Sequence, residues 1–259
     1  MPNKHFYPAF IISLIFLGIL VVYRVSFIKN EPITGAPPYG ESFEDVPELD
    51  GRDNWLYNWV RPEGPPKVGL QVGHWKNDEL PDELDRLKGS TGASVDSFKE
   101  WELNHKIALQ TAEILEEKGI EVDIIPATVP EKYWADVFVA IHADGNESSY
   151  ISGYKVAGPW RRHFNKSDRL VELIDDSYGK ETDLIKDENI SRNMRGYYAF
   201  SWWRYDHSIH PMTSAVIIET GFITNYNDRK LLNEQPEKPA KGIANGIVDF
   251  LIEQDLMNE

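Results

Sequence analysis

Tyr133-Trp-Ala-Asp-Val-Phe-Val-Ala-Ile-His142-Ala-Asp-Gly145 is the stretch whose reading decides the fold. Val137 to Ile141 is an unbroken apolar run rich in β-branched residues, the pattern of a strand buried on both faces in a parallel sheet. His142 ends that run, and Ala143, Asp144 and Gly145 let the chain leave the sheet. In open α/β sheets ligands bind outside the carboxyl ends of the strands, so an imidazole there stands where a site would form. Alone, His142 reads first as a satisfied histidine capping a strand. The other strand ends change that reading.

Val68 to Val72 reads as a first strand followed by Gly73-His74, and Ala215 to Ile218 as one followed by Glu219. Glu121 to Ile125 is a further strand, closed by Pro126. Between them lie helical periods: Phe98 to Lys118, with Asp96 or Ser97 as its cap and Gly119 as its stop, then Asp168 to Tyr178, Asn225 to Leu232 and Pro239 to Leu251. This alternation predicts an α/β domain, 67–259, with a mainly parallel (mixed) twisted sheet and helices on both faces.

Ahead of it, 1–30 reads as a membrane anchor. Phe6 to Tyr23 is almost wholly apolar, about one bilayer thick as a helix, and no small-residue cleavage site precedes Arg24. The expectation is a single-pass protein of the cell membrane with its domain outside the cytoplasm. Residues 31–66 are rich in Pro, Gly and acidic residues, a tether on which Trp55, Tyr57 and Trp59 are expected to pack against the domain. The chain carries 27 Lys and Arg against 42 Asp and Glu, a net charge of -15, which argues against a nucleic-acid partner. With no Cys, thiolate nucleophiles and Cys-ligated metals are excluded.

In the helix from Phe98, Leu103, Ile107, Thr111 and Ile114 form the apolar stripe, and at about 100° per residue Glu100 falls in its centre while Glu102 faces solvent. An inward carboxylate needs donors or a cation to offset its desolvation; the alternative is that Glu100 caps its own helix. His74, His142 and Glu100 together make two imidazoles and a carboxylate, the ligand set of catalytic zinc sites that keep a position open for water. Glu219 is then a second, unligated carboxylate suited to general base catalysis, best with a raised pKa. Trp75, Asn104, Asp144, Asn193 and His207 are candidate substrate contacts around this set. The polar loop Trp75 to Ser97 is the expected rim, and the aromatic, basic stretch Arg192 to His207 the expected wall. His207 and His210, three apart, are a further candidate ligand pair, although Pro211 ends any helix there.

These residues resemble a known family, the zinc-dependent N-acetylmuramoyl-L-alanine amidases of amidase type 3, over about Lys67 to Glu253. The carriers are Gly73-His74, Glu100 with Asn104 and Ile107-Ala108, Ala135-Asp136 before Val139-Ala-Ile-His142-Ala, and Glu219-Thr-Gly-Phe-Ile-Thr-Asn225 with Asp228 and Leu231. The resemblance implies Zn2+ held by His74, Glu100 and His142, with Glu219 as catalytic glutamate. It also implies a peptidoglycan or muropeptide substrate, cleaved at the amide between N-acetylmuramic acid and L-alanine. The family's Asp-Pro-Gly-His-Gly-Gly run is replaced over Leu70 to Trp75, and Pro126-Ala-Thr-Val-Pro130 stands in for an Arg-rich stretch. Both changes touch the cleft wall, which leaves a zinc amidase for a different acyl-peptide as one alternative. A non-catalytic muropeptide-binding ectodomain is the other.

Overall fold

The computed structural model describes residues 56–162 and 164–258. The apolar stretch Phe6 to Tyr23 and most of the tether lie outside these residues, and among the described residues no helix is long and apolar enough to cross a membrane. In chain order the elements are β1 (Lys67–Val72), β2 (Ser94–Val95), β3 (Phe98–Lys99), α1 (Glu100–Glu116), β4 (Glu121–Ile125), β5 (Val137–Asp144) and β6 (Lys155–Ala157). They continue with α2 (Ser167–Thr182), α3 (Arg192–Arg195), β7 (Ser214–Phe222), α4 (Tyr226–Glu234) and α5 (Glu237–Glu253). A five-stranded sheet has the order β4-β1-β5-β7-β6. Its first four strands are parallel, and β6 runs antiparallel to β7.

The parallel strands stand where their apolar runs predict, but two run further than read. β5 continues through His142 to Asp144 and β7 through Glu219 to Phe222, so neither residue ends its strand. Sheet pairing overrides the polar residues, because His142 and Glu219 are direct partners in the β5–β7 ladder. The helix read from Phe98 starts two residues later: Phe98 and Lys99 pair with Val95 and Ser94 in a tight hairpin that turns at Asp96, whose φ is 54°. Neither Asp96 nor Ser97 caps α1, whose N-cap is Lys99 without a side-chain bond. Asn225 does cap α4, accepting from the backbone N–H groups of Asn227 and Asp228.

Helices flank the sheet on both faces as expected, but unequally: the four longer ones lie on one side, and among the described residues the other has the one-turn α3 together with turns and loops. Side chains of α1, α2, α4 and α5 join Val68, Leu70, Val72, Val137, Val139 and Ile141 in one core cluster. The alternate residues Phe138, Ala140, Ala215 and Ile217 belong to a second cluster, covered by the turns Asp82–Leu87, the loop 126–135 and the stretch 194–200. Chain handedness accounts for the placement of α1 on the face opposite the loop 126–136. β1 reaches β4 on one side of it through α1, while β4 returns past β1 to β5, and two right-handed crossovers in opposite directions lie on opposite faces. The return, 126–136, is too short for a helix, so loops close that face. Its reversal point lies at the carboxyl ends of β1 and β5, the position for a binding crevice.

The tether's end belongs to the packed domain. Leu56 is buried, Trp59 lies 5.9 Å from Trp134 and 5.4 Å from His210 between ring centres, and Arg61 grips Asp136 at 2.6 and 2.8 Å. Tyr57 meets Phe164 edge-on but is 71% exposed, and Trp55 lies outside the described residues.

Candidate active site

The site is built on the loop-covered face at the reversal point. Val72 pairs with Ile141, so Gly73 arrives beside His142, and its N–H donates to Ile141 O at 2.9 Å. A Cβ on Gly73 would lie 2.5 Å from the His142 ring, so only glycine lets the two strands' ends meet there. The next residue, His74, takes a left-handed backbone (φ 62°), an uncommon conformation for a side-chain-bearing residue. Its Nδ1 lies 2.8 Å from the carbonyl of Ser90, which makes Nδ1 the protonated nitrogen and leaves the Nε2 lone pair facing Glu100 Oε1 at 3.5 Å.

Glu100 is 2% exposed at the first turn of α1, as the helical stripe predicts. It does not cap its own helix. Oε2 accepts from Ala93 N at 2.8 Å, and Oε1 accepts from Ala143 N at 3.2 Å and Asn104 Nδ2 at 3.3 Å. His142 Nδ1 lies 3.0 Å from the same Oε1. Burial works against the Glu100 charge, but the adjacent His74 and His142 outweigh it and hold the carboxyl at about 2. Burial pushes the His142 imidazole down, with Glu100 opposing, so His142 is suited to a neutral ligand role.

His74, Glu100 and His142 each offer one donor atom within 4.8 Å of the others, an arrangement able to hold a metal ion. A tetrahedral metal with bonds of about 2.0–2.2 Å sets its donors roughly 3.3–3.6 Å apart; the observed 3.5 Å falls inside that spacing and 3.0 Å a few tenths below it. The donor set therefore fits the ion that its chemistry suggests. Across the β5–β7 ladder Glu219 is 4% exposed. Burial, then the charges of Asp144 and Glu100, push its pKa well above the ordinary carboxylate range, with Lys155 opposing.

These four side chains open into one cleft walled by Leu80, Leu87, Met194 and Tyr197. Of the other candidates, Asp144 and Asn193 line the same cleft. Asn104 stands behind Glu100 as its donor. Trp75 lines an adjoining groove and packs at a tilt against His105, 4.7 Å between ring centres. His207 is outside the cleft lining, because Glu83 holds its Nδ1 at 2.7 Å and its N–H at 2.8 Å. His210 packs on Trp59, so His207 and His210 form no ligand pair among the described residues. The loop after Trp75 forms a rim as read, through Asn77, Leu80, Leu87 and Ser90.

Sequence reading passes over Gln71, Tyr197 and Lys155. Gln71 is the one polar side chain in Val68 to Val72, a signal that was available; Lys155 carries none, since its short edge strand is recognisable only once paired with β7. Lys155 is 2% exposed and ion-paired with Asp144 at 2.5 Å and Asp187 at 3.3 Å, beside Glu219 in the ladder. Its protonated form is favoured despite burial, chiefly by Asp144.

A family model described as N-acetylmuramoyl-L-alanine amidase matches residues 68–249, which include all four site residues. The chain belongs to this family. Among solved structures, the catalytic domain of the amidase CwlV from Bacillus (Paenibacillus) polymyxa var. colistinus is 21% identical, with a TM-score of 0.50 over 74% of this chain and 99% of that one. The CwlD amidase from Clostridioides difficile, solved in complex with the GerS lipoprotein, is 22% identical with a TM-score of 0.51 over 72% and 98%. The amidase Ami1 from Mycobacterium smegmatis is 17% identical with a TM-score of 0.52 over 73% and 98%. At these identities the likeness is one of fold. No curated protein matches the chain.

Proposed function

We propose that this amidase is zinc-dependent and hydrolyses the amide between N-acetylmuramic acid and L-alanine in peptidoglycan, from a position anchored to the cell membrane by Phe6 to Tyr23 with its domain outside the cytoplasm. The convergence of His74, Glu100 and His142 beside an unligated Glu219 supports the zinc reading most directly. Zinc, when bound, supplies a Lewis acid that polarises the scissile carbonyl and lowers the pKa of water. Glu219 takes the proton of the attacking water, whose oxygen adds to the lactyl carbonyl carbon. It then returns that proton to the alanine nitrogen as the C–N bond breaks, leaving a free amine and a lactyl carboxylic acid that ionises to solvent. Its raised pKa suits both halves of the task, since a stronger base also becomes a usable acid. Leu80, Leu87, Met194 and Ile217 give the cleft apolar walls, while Asn193 offers hydrogen-bonding groups to a peptide.

Zinc content and release of stem peptides from purified sacculi test this on the full-length chain. Wild type is expected to bind one zinc, to lose hydrolysis on chelation and to regain it with added zinc. His142→Ala should lose both metal and activity. Glu219→Gln should keep the metal while hydrolysis falls roughly 10²–10⁴-fold, the usual worth of a general base. Hydrolysis that survives chelation would exclude the zinc assignment, and full activity in Glu219→Gln would remove its role.

A further inference from the structure

Behind His142 runs a buried chain of hydrogen bonds whose directions follow from one group. The carbonyl of Ala127 can only accept. Gln71 Nε2 lies 2.9 Å from it and 3.0 Å from Tyr198 Oη. Tyr198 donates its own proton to the same carbonyl and accepts from Val129 N at 3.2 Å. The amide nitrogen of Gln71 is therefore oriented by both partners, since a flipped amide would set Oε1 against the Ala127 carbonyl oxygen. Gln71 Oε1 then faces Tyr197 Oη at 2.9 Å, and Tyr197 must donate to it. What Tyr197 turns toward His142 Nε2, 3.4 Å away, is a lone pair.

We propose that Gln71 and Tyr197 are positioning residues that hold His142 with its proton on Nε2, so that Nδ1 is the nitrogen offered to the metal. The inference rests on the metal-site reading above and adds to it. It makes the ligand set asymmetric: His74, oriented by the Ser90 carbonyl, presents Nε2, whereas His142 presents Nδ1. It also explains the 3.0 Å approach of His142 Nδ1 to Glu100 Oε1. Oε1 already accepts from Ala143 N and Asn104 Nδ2, so a deprotonated Nδ1 beside it sets one acceptor against another, a contact that a cation between them relieves. Gln71 is fully buried and Tyr197 is 8% exposed, so water does not readily replace either partner.

Tyr197→Phe keeps the ring that packs on Tyr198 and Phe200 and removes only the hydroxyl. Long-range proton–nitrogen NMR of the zinc-loaded, detergent-solubilised full chain reads which ring nitrogen of each histidine keeps its proton. In wild type the proton of neutral His142 is expected on Nε2. In Tyr197→Phe the Nε2 proton should lose the shift its hydrogen bond gives it, and zinc affinity, measured by competition with a chelator, should fall about 10–100-fold, the usual cost of removing a ligand's hydrogen-bond partner. Gln71→Leu gives a second reading: it removes the acceptor that orients the Tyr197 hydroxyl, and zinc affinity should fall in the same direction. His74 should keep its tautomer in both variants. A wild-type His142 protonated on Nδ1 overturns the inference whatever the zinc result. So do variants that lose thermal stability while the Nε2 proton shift and zinc affinity stay as in wild type, because that pattern belongs to packing alone.

Discussion

The two faces of the sheet are stabilised by different physics. On one, α1, α2, α4 and α5 bury a continuous apolar core, and α5 approaches α2 closely because Gly242 and Gly246 face Tyr178 and Ile174. On the other, loops and aromatic side chains cover the strands, and charge is buried among them: Glu100, Asp144, Lys155 and Glu219 are all 4% exposed or less. The helical face derives its stability from area removed from water, whereas the loop face spends stability on groups that water would solvate better. That cost is the usual setting for shifted pKa values, and chemistry is found there.

The sharpest way to break this contrast is Lys155→Met. It leaves Asp144 and Asp187 without their buried cation, and loss of about 3–5 kcal/mol is expected in denaturant unfolding. The same substitution removes the cation that restrains the rise in the Glu219 pKa, so the base limb of the activity profile should move to higher pH in whatever protein remains folded. A profile that does not move would mean that Lys155 serves the strand alone.

Gly246→Ala probes the opposite face. Its Cβ would lie 2.6 Å from Ile174 Cα, a backbone atom that cannot swing aside, so a loss of about 1–3 kcal/mol is expected. Zinc affinity and the kcat of the folded fraction should be unchanged, since the sheet stands between this contact and the cleft. An altered kcat would show that the two faces are coupled.

The smallest effect is expected from acid. In the chelated protein Glu100 titrates at about 2 rather than its ordinary 4.5. A carboxylate with a depressed folded-state pKa contributes stability above its unfolded value, and that contribution is lost as pH falls through the folded one. Between pH 4.5 and about 2 the melting temperature of chelated wild type should therefore fall more steeply than that of Glu100→Gln. Parallel slopes would mean that the histidine pair does not hold the carboxylate charged.

Much of this was legible in the chain itself. The apolar runs around Leu70, Val139 and Val216 are continuous because both sides of a parallel strand are covered, so they report strands without any knowledge of partners. Glu100 could be placed inward because a helix repeats its faces at a fixed angle. His207 shows the limit: its residue type and neighbourhood suit a substrate contact, but Glu83, more than a hundred positions earlier, holds it outside the cleft. The strand ends show another, because a ladder partner carries β5 and β7 past the polar residues at which their own patterns stop.

By itself the sequence determined the four parallel strands, the inward face of α1 and the four residue types that hydrolysis needs, since each depends on local period and chemistry. Only the tertiary structure decided that the longer helices share one face, that Lys155 lies beside Glu219, and that Gln71 and Tyr197 stand behind His142. Those are distances between residues far apart in the chain. Crossover handedness and strand order set them, and neither is written in any local pattern.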